Sequence, residues 1–310
     1  MKNIFLKFIM LIVVSLIFNS CDPDKKQSGQ EKSKQKPLVA VVNYPLYTFA
    51  TKIGGEKIDV YFPQIDGDPA FWEPDPASIE KFQNADRIIL NGANYAKWME
   101  KVSLPVSTQV NTSKAFSDQL IELQGEVHSH GPEGEHSHTG YAFTTWLDLK
   151  NAETQALAVY EVLFELLPQE KETFNNNFIE IRDRLKALDE KLSEIINNQG
   201  NPLVFASHPV YQYLAKGYGI QIISFHWEPD QMPSEVDWQE FEYSLDSHSS
   251  RAMLWEDDPL PEVRRRLEES GVAVIVFNPG GNRTELDFIH LMERNIENLG
   301  MGLKYDLSDQ

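Results

Sequence analysis

Short apolar runs alternate with helical patterns along most of the chain. Residues 38–42 form an apolar, β-branched run of the kind buried on both faces in a parallel sheet. Residues 46–53 continue as a short helix that stops at Gly54-Gly55. Residues 58–62 read as a second strand, 77–84 as a helix, and Arg87–Leu90 as a third strand closed by Asn91-Gly92. Tyr95 and Trp98-Met99 mark the apolar face of a short helix, and residues 106–110 a fourth strand. The same rhythm returns after Gly200. Strands are expected at Leu203–Ala206, 221–225, Ala252–Trp255 and 272–277, with helical sequence at 260–270 and 285–299. Repeated strand–helix–strand order predicts parallel sheets with crossovers, an α/β fold in two small lobes.

Between the lobes, residues 151–198 are almost wholly helical, divided at Pro168, which is tolerated only at a helix start. Phe174, Phe178, Ile181, Leu185, Leu188, Leu192 and Ile195 then recur at steps of four and three. That is one apolar stripe along a helix of roughly 40 Å at 1.5 Å rise per residue. A coiled-coil dimer or a backbone helix packed on both lobes fits it; its place between two α/β blocks favours the second. The organisation expected is a leader at 1–20, a tether at 21–36, an N-terminal lobe at 37–150, a helical segment at 151–199 and a C-terminal lobe at 200–310.

The first twenty residues have Lys2 and Lys7 before an apolar core at 8–18, too short to span a bilayer, so they read as a signal peptide. Cys21, the only cysteine, follows directly. A single cysteine excludes an intramolecular disulfide and a thiolate metal cluster. Its position resembles a bacterial lipoprotein processing site, which would tether the chain to a membrane facing the periplasm or cell exterior. Residues 22–36 are polar and aperiodic, as in a disordered tether. The formal charge of −19 becomes two units more negative once Lys2 and Lys7 are removed. This excludes nucleic acid as a natural partner. No G-x-G-x-x-G, P-loop, C-x-x-C, H-E-x-x-H or G-x-S-x-G occurs, so the common enzyme signatures are missing.

Two stretches carry candidate chemistry. Residues 124–140 form a loop with four of the eight histidines, in two H-x-H pairs, His128/His130 and His136/His138, interleaved with Glu126, Glu133 and Glu135. Paired imidazoles on a Gly- and Pro-containing loop suit a borderline-soft cation such as Zn²⁺. The second stretch is L-V-F-A-S-H-P-V-Y-Q-Y-L-A-K-G-Y-G-I, residues 203–220, where His208 follows a buried strand. Ligands bind at the carboxyl ends of strands in open α/β sheets. The competing reading is a core or capping histidine.

The pattern of S-H, two residues, Y-x-Y-L-A and G-Y-G resembles the third metal-ligand segment of the zinc- and manganese-specific solute-binding proteins of ABC importers, the ZnuA/TroA-like cluster A-I family. The resemblance extends over most of residues 37–303. It implies a site of four side chains at strand ends, two from each lobe. Asp68-Pro69-Ala70-Phe71-Trp72-Glu73-Pro74 resembles the first segment, with Ala70 in the place of a histidine. Phe143-Thr144-Thr145-Trp146-Leu147-Asp148 resembles the second, with Thr144 in the place of a histidine. His208 matches the third. In the fourth, Asn278-Pro279 stands where the family has Asp-Pro. Alanine has no donor atom, and a hydroxyl or amide oxygen is a poorer Zn²⁺ ligand than imidazole or carboxylate.

His226 and Glu256 follow neighbouring strands and, with His208, would give two imidazoles and one carboxylate. Asp68, Glu73 and a folded-in His138 are further candidates. Phe71, Trp72, Phe143, Trp146, Trp227 and Trp255 would instead make the cleft aromatic, suited to an organic ligand or a chelate. The resemblance implies a monomeric lipid-anchored binding protein, not an enzyme, that captures a divalent metal, Zn²⁺ first and Mn²⁺ among others, for a membrane permease and its ATPase. The alternatives are a non-transport surface lipoprotein, adhesive or metal-buffering, and a binder of a non-metal ligand.

Overall fold

The computed structural model describes residues 36–65, 67, 72–123, 127–129, 135–137, 140–248 and 250–304, with backbone alone at 127–129 and 135–137. Cys21, the leader and nearly all of the tether lie outside the described residues, as do Asp68, Ala70, Phe71, Glu126, Glu133, His130 and His138.

The first sheet is parallel, in the order β2-β1-β3-β4, from β1 (Leu38–Val41), β2 (Asp59–Tyr61), β3 (Arg87–Leu90) and β4 (Gln109–Asn111). α1 (Tyr44–Gly54) crosses from β1 to β2. Its cap is Asn43, whose side chain accepts from the Leu46 N–H. α2 (Pro76–Gln83) crosses to β3, capped by Asp75. The fourth strand lies later than expected. Pro105 precedes a 3-10 turn at Val106–Thr108, so pairing begins only at Gln109. The short helix at Trp98 is also a 3-10 turn, Lys97–Lys101.

The histidine-bearing stretch is not an open loop at the backbone level. β5 (Glu122–Leu123) pairs antiparallel with β8 (Gly140–Tyr141), and β6 (Val127–Ser129) with β7 (Glu135–Ser137), setting His128 opposite His136 in register.

α3 (Leu149–Leu166) and α4 (Lys171–Asn198) are separated by a 3-10 turn at Pro168–Glu170. The stripe on α4 is buried from Phe174 to Leu192, but its last member is Ile196, because a 3.6-residue helix drifts from a strict four-three repeat. α1 and α3 pack on α4, and so do α5 (Gln212–Tyr218) and α8 (Phe288–Gly302) further along the chain. The stripe is therefore covered within the chain, and the coiled-coil alternative falls. No helix among the described residues is long and apolar enough to cross a membrane.

The second sheet is also parallel, in the order β10-β9-β11-β12, from β9 (Leu203–Ala206), β10 (Gln221–Ser224), β11 (Ala252–Trp255) and β12 (Ala273–Val276). α6 (Glu235–Ser247), opened by a Ser234/Asp237 capping box, precedes β11, and α7 (Pro261–Glu269) precedes β12. One apolar core runs through both lobes around α4. A second lies on the far face of the C-terminal sheet, where Trp227, Trp238 and Trp255 pack with Phe205, Phe241, Val263 and Leu267.

Candidate functional site

In each sheet the first strand lies between the next two, β1 between β2 and β3, and β9 between β10 and β11. Successive connections leave such a strand on opposite sides, which opens a crevice at its carboxyl end. In the C-terminal lobe, backbone hydrogen bonds tie the three strand exits together. The Ser207 N–H donates to the Leu254 carbonyl at 2.9 Å, and the Trp227 N–H to the Ser207 carbonyl at 2.7 Å. Each exit delivers a polar side chain: His208 after β9, His226 and Glu228 after β10, and Glu256 after β11.

His208 sits between the two carboxylates. Its Nδ1 is 3.0 Å from Glu256 Oε1 and its Nε2 is 3.9 Å from Glu228 Oε1. The His226 ring stands nearly perpendicular to that of His208, with centroids 5.8 Å apart. The His208 side chain is 17% exposed, those of Glu256 and Glu228 30% and 36%, so solvent reaches the carboxylates first. A neutral imidazole donating Nδ1–H to Glu256 carries its lone pair on Nε2, the arrangement that suits a metal-binding histidine. Tyr211 lies below, donating its hydroxyl to the Phe277 carbonyl at 2.8 Å. Burial, and then the Glu256 charge, push its pKa up, so it stays a neutral phenol.

The other expected ligands are engaged elsewhere. The Thr144 hydroxyl is buried and donates to the Val210 carbonyl at 2.5 Å, joining the two lobes. Asn278 Oδ1 accepts the Gly280 N–H at 2.8 Å, and its backbone is held by Asn295. Glu73 is exposed and pairs with Lys101. Of the aromatic wall, Trp227 and Trp255 belong to the second core, Trp72 packs edge-on against Trp98, and Trp146 is buried with its indole N–H on the Pro279 carbonyl. These residues fill lobe cores and the lobe junction, which removes most of the expected aromatic lining. Sequence reasoning missed Glu228. The only signal was its place two residues after His226, in H-W-E-P. Among the described residues, no three His, Cys, Asp or Glu side chains already form a metal-binding group.

The N-terminal side is held by a buried polar network. Asn91 Oδ1 accepts from Asn43 Nδ2 and Gln155 Nε2, each at 3.1 Å, and from the Thr145 hydroxyl at 3.2 Å. Asn91 Nδ2 donates to the Phe143 carbonyl at 2.9 Å, fixing the loop that carries Thr144. Further along the junction, Asn282 donates to the Ile65 carbonyl at 2.7 Å. Arg283 donates to the Phe62 carbonyl at 2.9 Å while stacking over Tyr47.

The family model described as zinc-uptake complex component A, periplasmic, matches residues 39–302. The zinc-binding lipoprotein AdcA of Streptococcus pneumoniae is 27% identical over 286 residues, which are 88% of this chain and 57% of that protein. The chain thus spans less than two thirds of the length of that relative. SsaB of Streptococcus sanguinis, a metal ABC transporter substrate-binding lipoprotein, is 28% identical over 255 residues, 76% of this chain and 78% of that protein. The crystal structure of the metal-dependent lipoprotein YcdH from Bacillus subtilis superposes with a TM-score of 0.73 at 22% identity, covering 87% of this chain and all of that one, a likeness of fold.

Proposed function

The chain belongs to the zinc-uptake component A family of periplasmic solute-binding proteins, and from that premise we propose that it captures Zn²⁺ outside the cytoplasm for an ABC importer. The observation that carries this reading is His208. It lies at the crevice of the C-terminal sheet, and the carboxylate on its Nδ1 prepares its Nε2 to bind a metal. The zinc-binding name of the pneumococcal relative supports the choice of metal, as do the histidine pairs at 128–138. The role is binding and delivery without turnover, to a permease and ATPase as partners. Acylation of Cys21 would hold the protein at the membrane surface, as the lipoprotein names of both curated relatives suggest.

Calorimetric titration of the purified mature chain with Zn²⁺ tests the reading. A tight binding event that H208A removes is expected. If no heat is released, and deleting residues 126–140 changes nothing, zinc capture is refuted.

A further inference from the structure

We propose that the cation is held within the C-terminal lobe alone, by His208 Nε2, Glu228 and His226, and that Glu256 positions His208 without touching the metal. The assignment rests on the metal-capture reading and says which carboxylate does the capturing. It departs from the four-station site that the family resemblance implies, which draws on both lobes.

Position in the sheet separates the two glutamates. Glu256 leaves β11 on one side of His208 and takes Nδ1 at 3.0 Å, so that nitrogen is already committed to a carboxylate. A metal-bound imidazole characteristically gives its other ring nitrogen to such a partner, which fixes the tautomer and ring orientation. Glu228 leaves β10 on the other side and faces Nε2 at 3.9 Å. Two ligands of one tetrahedral Zn²⁺, each bonded at ~2.0–2.1 Å, stand about 3.3 Å apart. The gap between Nε2 and Glu228 therefore exceeds the coordinated distance by roughly half an ångström, within reach of a side-chain rotation at a carboxylate that is 36% exposed. His226, two residues before Glu228 on the same tied segment, brings a second imidazole with its ring centroid 5.8 Å from that of His208. Two imidazoles and one carboxylate, with a position left to water, are an established Zn²⁺ ligand set.

The second and fourth stations fit this division. The Thr144 hydroxyl donates to the Val210 carbonyl, and Asn278 Oδ1 accepts the Gly280 N–H. Thr144 thus holds the lobe junction and Asn278 braces the loop after β12, and neither is needed for the cation.

The test uses the full mature chain with His128, His130, His136 and His138 replaced by Asn, so that the hairpin contributes no sites. Co²⁺ is titrated as a spectroscopic probe and Zn²⁺ as its competitor. The parent is expected to develop the visible absorption of a low-coordinate Co²⁺ centre. E228Q, an isosteric change at a solvent-facing position, is expected to weaken binding by about a hundredfold and to alter the Co²⁺ spectrum, because a ligand is lost. E256Q is expected to weaken binding by about tenfold, the lower end for a second-layer partner, with the spectrum unchanged. T144A and N278A are expected to leave both readouts unchanged. A Co²⁺ spectrum and affinity unmoved by E228Q, or a spectrum altered by E256Q, overturns the assignment while metal capture stands. A parent that binds neither ion overturns metal capture and the assignment with it.

Discussion

The indole Nε1 of Trp146 donates to the backbone carbonyl of Pro279 at 2.7 Å, joining the turn before α3 to the loop after β12. Trp146 is 1% exposed, so the bond is closed to water. W146F keeps an aromatic ring but loses the second ring of the indole and leaves that carbonyl without its donor. It should destabilise the chain by about 2–4 kcal/mol, from an orphaned buried acceptor together with the cavity left by the missing ring. Thermal unfolding followed by circular dichroism should register a lower midpoint. An unchanged midpoint would mean that the junction takes no stability from this bond.

Asn91 has a larger role, because its side chain closes four contacts at once beyond the one to the adjacent Gly92 carbonyl. Its partners are Asn43, Gln155, Thr145 and the Phe143 carbonyl, and the first three are themselves buried. Truncation to alanine strands the Asn43 amide N–H in a low-dielectric interior, while Gln155 keeps Thr112, Thr145 keeps Gln155 and the Phe143 carbonyl keeps the Thr145 N–H. N91A is expected to lose about 2–4 kcal/mol, well beyond a typical surface change. Urea unfolding at constant m-value is the measurement, and a loss below ~1 kcal/mol would show that the network repairs itself with water.

The network and the strands differ in how far the sequence reveals them. Arg87–Leu90, Leu203–Ala206 and Ala252–Trp255 are contiguous apolar runs, and the strands occupy those residues. Local pattern sufficed there because a strand in a buried parallel sheet is apolar on both faces. α6 left no comparable trace. It buries Trp238 and Phe241 while exposing Val236 and Tyr243, so its apolar residues form no single stripe. Trp227 and Trp255 follow or end strands beside the site, yet face the second core, and residue type alone does not tell a core wall from a cleft wall. The place of His208 just after β9 was legible from its motif. Its pairing with Glu228 depends on the Trp227 N–H reaching Ser207 across 20 residues of chain, which no local pattern encodes.

The histidine hairpin should bind zinc separately from the crevice. β6 and β7 set His128 against His136 in register, in a segment with two H-x-H pairs. Replacing all four histidines by Asn is expected to lower the zinc stoichiometry by at least one equivalent and to leave the tight event in place. Equilibrium dialysis against Zn²⁺ measures this directly. An unchanged stoichiometry would leave the hairpin without a metal role.

Asp148 supplies a pH-dependent test at the junction between α3, α4 and α5. It caps α3 by accepting the Lys150 N–H at 3.0 Å, and Gly217 of α5 packs so closely that an added Cβ would lie 3.0 Å from its carboxyl carbon. Burial raises its pKa, opposed by the Lys150 N–H and the Lys150 charge and reinforced by repulsion from Asp189. Asp189 is held near by the Tyr218 hydroxyl, which donates to it at 2.7 Å and accepts the Leu149 N–H at 3.2 Å. A carboxyl whose folded pKa lies above its unfolded value of about 3.9 favours the native state fully below that value and loses this contribution as pH rises through the folded pKa. Above its folded pKa the native chain therefore carries a half-buried carboxylate repelled by Asp189. D148N keeps a good capping side chain and removes the charge. It should be more stable than the parent at pH 7 by less than about 1 kcal/mol after solvent screening, with the advantage fading below about pH 4. Urea midpoints at pH 7 and pH 3.5 decide the matter. A variant less stable than the parent at pH 7 would mean that the carboxylate's attraction to the α3 N-terminus outweighs both its burial and its repulsion by Asp189.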